Sequence, residues 1–173
     1  DLTEVMSANE SVHTTVNAKW LYGSPAAQLK TRVEMEVANM KTSFKGFENY
    51  QFDDRSNQFN MNEPVISEGT TSSSGDVKLN FNWRTPRKSP GMLKMKFKTK
   101  VFEKGGDFSE DYLSTKYSPF ESYVGVKLPG GGNWRNALST EDSHGISLVA
   151  LASGNITEPP LLVKCKVPFV VLR

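Results

Sequence analysis

A single cysteine, Cys165, excludes any internal disulfide, so the fold has to stand on its apolar core. The only two histidines, His13 and His144, lie far apart in sequence, which with one cysteine makes a poor metal-ligand set. No apolar run is long enough to cross a membrane as a helix, and no stretch sustains a helical period. Charge of neither sign dominates: 21 basic against 19 acidic residues leave a formal +2, so nothing global calls for a nucleic-acid partner. No leader-like segment opens the chain at Asp1, and the expectation is of a mature or excised fragment.

What the chain does have is alternation with a period of two. Val12, Thr14, Val16, Ala18 and Trp20 share one face, and His13, Thr15, Asn17, Lys19 and Leu21 the other. That pattern predicts a half-buried strand over 12–20. Gly23-Ser24-Pro25 then stops it, because Gly permits unusual backbone angles and Pro removes a ladder donor. A second strand is predicted over 29–40, with Leu29, Val33, Met35 and Val37 against Lys30, Arg32, Glu34 and Glu36. Further strands are predicted over 58–61, 65–68, 77–83, 93–102 and 108–115, separated by the small polar run 69–75, the Pro-bounded 85–91 and Gly105-Gly106. Residues 1–10 show no period and are expected to be a frayed lead-in. Many short strands between turn signals predict an all-β chain: an antiparallel immunoglobulin/fibronectin-III-like β-sandwich of about seven strands.

Three stretches carry a resemblance. "NAKWLYGSPAAQLK" at 17–30 resembles the segment that opens a macroglobulin domain of bacterial alpha-2-macroglobulins. Phe44-Lys45-Gly46-Phe47-Glu48-Asn49-Tyr50-Gln51-Phe52 resembles a later stretch of the same family. Residues 117–129, "YSPFESYVGVKLP", look like its domain junction. The resemblance implies a macroglobulin-like β-sandwich domain over 11–117. A truncated second sandwich module, a partial macroglobulin-like domain, is then expected over 118–173, with strands at 123–128, 146–152 and 161–167. It further implies a parent that is a broad-spectrum protease inhibitor of the periplasm or cell envelope, lipid-anchored at the inner membrane. The fragment's partners would be neighbouring macroglobulin domains, with host or competitor proteases met through the parent, and neither nucleic acid nor membrane contact.

Each chemically suggestive group has a plain structural reading. Lys94, Lys96, Lys98 and Lys100 put four ammonium groups on one strand face. A polyanion or headgroup contact is one reading; a solvated outer face that discourages edge pairing is the favoured one. Gly130-Gly131-Gly132 lacks a following Lys-Ser/Thr and reads as a flexible loop. Ser143-His144 has no nucleophile elbow around it. Asp53-Asp54 and Glu141-Asp142 lack a calcium-loop pattern. Asn9 and Asn155 match a glycosylation acceptor that arises easily by chance. Trp20 and Trp83 are expected in the core, while Trp134 is either an anchor for a neighbouring domain or a cap on its own small core. Cys165 has no Glu-Gln after it, so the thioester motif of the family is missing, and no bait segment is evident. The expectation is a non-enzymatic scaffold with no catalytic residue, metal site or cofactor. A cell-surface adhesin or polysaccharide-binding sandwich is the alternative, and an enzyme accessory domain the next.

Pairing can also be predicted. With 12–20 counted first, 29–40 is second, 47–52 third, 65–68 fourth and 77–83 fifth. Second and fifth strands are neighbours in immunoglobulin-like sandwiches. Strand 29–40 should then pair with 77–83, placing Glu34 or Glu36 near Lys78 and turning the lysine stripe away from those carboxylates.

Overall fold

A computed structural model describes residues 5–7, 11–86, 88–129, 145–152 and 161–165. The elements are all strands: β1 (Val5–Ser7), β2 (His13–Asn17), β3 (Lys30–Asn39), β4 (Val65–Thr70), β5 (Asp76–Asn80), β6 (Leu93–Phe102), β7 (Phe108–Ser118), β8 (Ser122–Lys127), β9 (Ile146–Ala152) and β10 (Leu161–Cys165). They form a five-stranded sheet in the order β1-β7-β6-β3-β4, a two-stranded sheet β2-β5, and a three-stranded sheet β10-β9-β8. All pairings are antiparallel except β1 with β7, which is parallel. The first two sheets face each other as a β-sandwich.

Alternation decides what they bury. Val33, Met35 and Val37 of β3 and Leu93, Met95 and Phe97 of β6 point inward and are essentially inaccessible. They meet Val77 and Leu79 of β5, together with Val12 and Phe81 at the ends of the small sheet. Phe81 and Phe97 pack edge to face at 5.5 Å. The covering layer is short. β2 and β5 have five residues each, β6 has ten and β7 eleven. The distal half of the β6–β7 hairpin therefore runs out past the core, and Leu113 stays exposed although it shares the inward parity of Phe97.

The expected pairing of 29–40 with 77–83 is wrong. β3 pairs with β6 over its whole length and with β4 on its other side. β5 pairs with β2 instead. The neighbour rule holds, but the count was off by one strand. The stretch expected to be a frayed lead-in contains β1, which adds to β7 with Val5 opposite Lys116 and buries Met6. Residues 47–52 form no strand; only Gln51 makes a ladder contact. Counted correctly, the second and fifth strands are β2 and β5, and they are the neighbours. The 58–61 strand is also absent. β4 covers β3 only as far as Met35, and beyond it the edge of β3 is met by single bonds. Val37 N–H reaches Met61 Sδ at 3.1 Å, and Asn39 Nδ2 donates to the Phe59 carbonyl at 2.8 Å.

Candidate functional site

The chain leaves β3 at Asn39 and makes two successive turns, Phe47 N–H to Phe44 O and Tyr50 N–H to Phe47 O, both 3.0 Å. Gly46 adopts φ 84° in the first of them, a left-handed conformation that suits glycine. Its N–H donates to Glu48 Oε1 at 2.9 Å, and that bond holds the exposed Glu48 carboxyl below its usual pKa. The turns gather Phe44, Phe47, Tyr50 and Phe52 on one side. Phe44 meets Phe52 edge to face at 4.8 Å, and Phe47 meets Tyr50 at 5.7 Å.

This aromatic cluster is closed by the three-stranded sheet. Phe44 packs against Tyr123 of β8 at 5.5 Å. Phe44, Phe52, Met92, Tyr123, Val149 and Leu151 form one buried core separate from that of the sandwich. The backbone joins as well as the side chains. Gln51 N–H donates to Val126 O at 2.8 Å, and Val126 N–H returns a bond to Gln51 O at 2.9 Å. Gly125 makes the close approach possible: a Cβ there would lie 2.4 Å from Phe52 Cε1 and 2.9 Å from Val149 Cγ1. Tyr123 is anchored by a hydroxyl relay. Ser118 Oγ donates to the Phe120 carbonyl at 2.7 Å, so the Tyr123 hydroxyl donates to Ser118 Oγ at 2.8 Å. Burial pushes the Tyr123 pKa up, against the pull of Ser118.

A second set of bonds ties the cluster to the sandwich. Thr42 N–H is held by the Asp53 carboxylate at 3.0 Å, and Thr42 Oγ1 accepts from Met92 N–H at 2.7 Å. Gly91 lies against both; a Cβ would fall 2.2 Å from Thr42 Oγ1 and 2.3 Å from Asp53 Oδ1. Asp53 is thus committed to the backbone. Its neighbour Asp54 accepts from Ser56 Oγ at 2.6 Å, from Ser56 N–H at 2.9 Å and from Asn57 Nδ2 at 2.8 Å, and the Ser56 bonds keep its pKa low. The pair is a turn device. Among the described residues no group of three or more His, Cys, Asp or Glu is placed to hold a metal ion.

The lysine stripe lies on the outer face of the large sheet. Contrary to expectation, it faces the β3 carboxylates, with Glu34 opposite Lys98 and Glu36 opposite Lys96. A groove of about 410 Å³ runs between Glu34, Glu36, Lys94, Lys96, Lys98 and Tyr112. Lys98 and Lys100 pair with Glu110 at 3.4 and 3.1 Å, and the Tyr112 hydroxyl donates to Glu110 at 2.8 Å. Those contacts, Tyr112 first, lower the Glu110 pKa to about 2. Lys98 and Lys100, half of the stripe, are therefore charge-paired through one carboxylate on a solvated face.

Trp83 is half-buried against the sandwich core, edge to face with Phe59 and Tyr117. Trp20 departs from expectation. It lies beyond β2, half-buried, and stacks on the exposed Tyr22 at 6.4 Å rather than entering the core. His13 is exposed on β2, its ring nitrogen Nδ1 3.0 Å from the Ser11 carbonyl. Cys165 ends β10, opposite Ile146. Asn9, Gly130-Gly131-Gly132, Trp134, Glu141-Asp142, Ser143-His144 and Asn155 lie outside the described residues. The aromatics at 44–52 are plain in the sequence, but the use the fold makes of them is not. The signal was present in the bracketing of Glu48-Asn49 by Phe47 and Tyr50, but its partner strand lies some 70 residues on.

Comparison with known proteins agrees with this architecture. Residues 2–119 match the family described as the Bacterial Alpha-2-macroglobulin MG5 domain. No curated protein matches the chain. Among solved structures, the chain is similar to trypsin-activated alpha-2-macroglobulin from Escherichia coli, at 13% identity and TM-score 0.59, covering 95% of this chain and 14% of that one. It is similar to Salmonella alpha-2-macroglobulin reacted with methylamine, at 13% identity and TM-score 0.56, covering 89% of this chain and 11% of that one. A third likeness is to E. coli alpha-2-macroglobulin activated by porcine elastase, at 16% identity and TM-score 0.55, covering 85% and 13%. The chain thus spans about a seventh or less of those proteins. At such identities the structural likeness speaks for the fold, and the family match extends over most of the sequence: this chain belongs to the bacterial alpha-2-macroglobulin family, with its MG5 domain at residues 2–119.

Proposed function

We propose that this chain is a non-catalytic scaffold segment of a longer bacterial alpha-2-macroglobulin-like protein, and that its parent is a broad-spectrum protease inhibitor. In this reading a macroglobulin domain over 11–117 is followed by a second macroglobulin-like unit from 118 onward. The observation that carries it is the shared aromatic core. Residues 44–52 of one unit and β8–β9 of the next bury a common cluster and exchange two backbone hydrogen bonds. Such a joint fixes the relation of two neighbouring units, the role expected of a scaffold segment. The similar E. coli proteins are described as activated by trypsin and by porcine elastase. Host or competitor proteases are the corresponding targets here, met through the parent, in a periplasmic or cell-envelope location with a lipid anchor.

The test compares fragment and parent. The parent should protect large protein substrates from several unrelated proteases, while the 173-residue chain neither cleaves nor inhibits them. Stoichiometric inhibition by the fragment, or no inhibition by the parent, would overturn the reading. A glycan array on the same fragment decides against the adhesin alternative if it stays blank.

A further inference from the structure

Among the described residues, the two most exposed large apolar side chains sit side by side. Leu21 is 108% and Tyr22 80% exposed, at the tip of the turn that follows β2. Turns ordinarily place Gly, Asn, Asp, Ser or Pro outward. Here the tip is apolar, and its base is braced. Gly23 N–H donates to Trp20 O at 2.8 Å and Trp20 N–H to Ser24 O at 2.9 Å, with Gly23 at φ 92°. Below them Lys19 and Pro25 form an antiparallel bridge, and Ala26 N–H donates to Ala18 O at 3.0 Å. The β4–β5 turn clamps that base from the side. Ala18 N–H donates to Gly75 O at 2.9 Å, and a Cβ on Gly75 would fall 2.3 Å from Ala18 O. The buried Thr71 hydroxyl donates to Ala26 O at 2.7 Å and accepts from Leu29 N–H at 2.9 Å. The Trp20 and Tyr22 rings lie parallel within 4° on this support.

We infer that the Trp20-Leu21-Tyr22 turn is a preformed docking knuckle that seats in an apolar recess of another β-sandwich domain of the same parent polypeptide. Its place in the fold points to that occupant. The aromatic junction fills the end of the sandwich where Asn39 meets Leu93; the knuckle projects from the other end, where Lys30 meets Phe102 and Thr70. The knuckle thus stands at the end of the sandwich opposite the one that β8–β9 occupies, open to a domain from elsewhere in the polypeptide. Similar proteins are about seven times as long as this chain or longer, so most of their surface lies outside it. Charge disfavours an anionic lipid surface: the turn over 20–25 has no charged residue, and Lys19 beneath it sits in the field of Asp76. An aromatic and aliphatic tip held rigid before contact loses little entropy on docking, the usual character of an interface anchor.

The inference rests on the multidomain reading above and is tested apart from it. Tyr22 is replaced by photoreactive p-benzoylphenylalanine in the full-length parent, and crosslinked peptides are mapped. The expected product is a crosslink within one polypeptide, joining position 22 to a domain outside residues 1–173. In parallel, Leu21→Ser/Tyr22→Ser should leave the melting temperature of the 173-residue chain unchanged and lower that of the parent. Crosslinks only to lipid or to separate protein molecules, or an unchanged parent melting temperature, overturn the proposal. If the parent fails to inhibit proteases while the internal crosslink forms, the inhibitor reading fails and the knuckle stands.

Discussion

Replacing Gly125 by alanine tests the junction at its tightest point. Gly125 lies in β8 with backbone angles open to any residue, since it is absent from the positive-φ glycines. On strand preference alone, alanine should therefore gain about 0.5–1 kcal/mol. The new Cβ, however, would sit 2.4 and 2.6 Å from two ring atoms of Phe52 and 2.9 Å from Val149. Phe52 cannot swing away freely. Phe44 abuts it at 4.8 Å, Tyr50 lies at 6.3 Å, and its neighbour Gln51 is bonded to Val126. Overpacking of this kind costs about 1–3 kcal/mol, so the steric term wins and the net change is destabilising by about 1 kcal/mol. The direct assay is amide hydrogen exchange at Val126 and Gln51, whose bonds open when the junction opens. Both should lose protection while core amides of β3 and β6 keep theirs. Phe52→Ala alone should cost about 3–5 kcal/mol. In that background the alanine at 125 has room, so the two effects should be sub-additive by about 1–2 kcal/mol. Unchanged or increased protection in Gly125→Ala, or strict additivity in the cycle, would refute the argument.

Trp83→Ala should destabilise the sandwich by about 3 kcal/mol, at the low end for aromatic truncation because the ring is only half-buried. Trp83→Phe should cost far less. The indole Nε1 is buried without a hydrogen-bond partner among the described residues, and removing such a group recovers about 1–3 kcal/mol; denaturant midpoints decide both. The Glu110 pKa is depressed to about 2, so the stability it contributes is fully present above the unfolded carboxylate range and is lost as pH falls toward 2. Thermal melts of wild type and Glu110→Gln should therefore converge as pH falls from 5 to 2, and parallel curves would contradict the pairing with Tyr112, Lys100 and Lys98.

The sequence by itself determined the faces. Val33, Met35 and Val37 go inward and Lys94 and Lys96 outward because side chains on a strand alternate, and burying one parity is the only way to form a core. Strands β6 and β9 were legible to the residue, and β3 nearly so, since local alternation defines them. The family resemblance was legible from 17–30 and 44–52, and the family match bears it out. Partner choice was not local. β1 is three residues long, too short to show a period, yet it moves β2 and β3 up one place in the count, while 47–52, which forms no strand, drops out and leaves β4 and β5 as fourth and fifth. The missed β1 and the strand expected at 47–52 together misplaced β3 beside β5 and turned the lysine stripe away from Glu34 and Glu36. Trp20 reads as inward-facing, but the covering layer ends at Asn17, so parity no longer brings burial there. The aromatic junction had no period to read at all, because its turns present Phe44, Tyr50 and Phe52 to a strand distant in sequence. Only tertiary structure decides which open face meets which, since burial depends on neighbours that the local pattern does not contain.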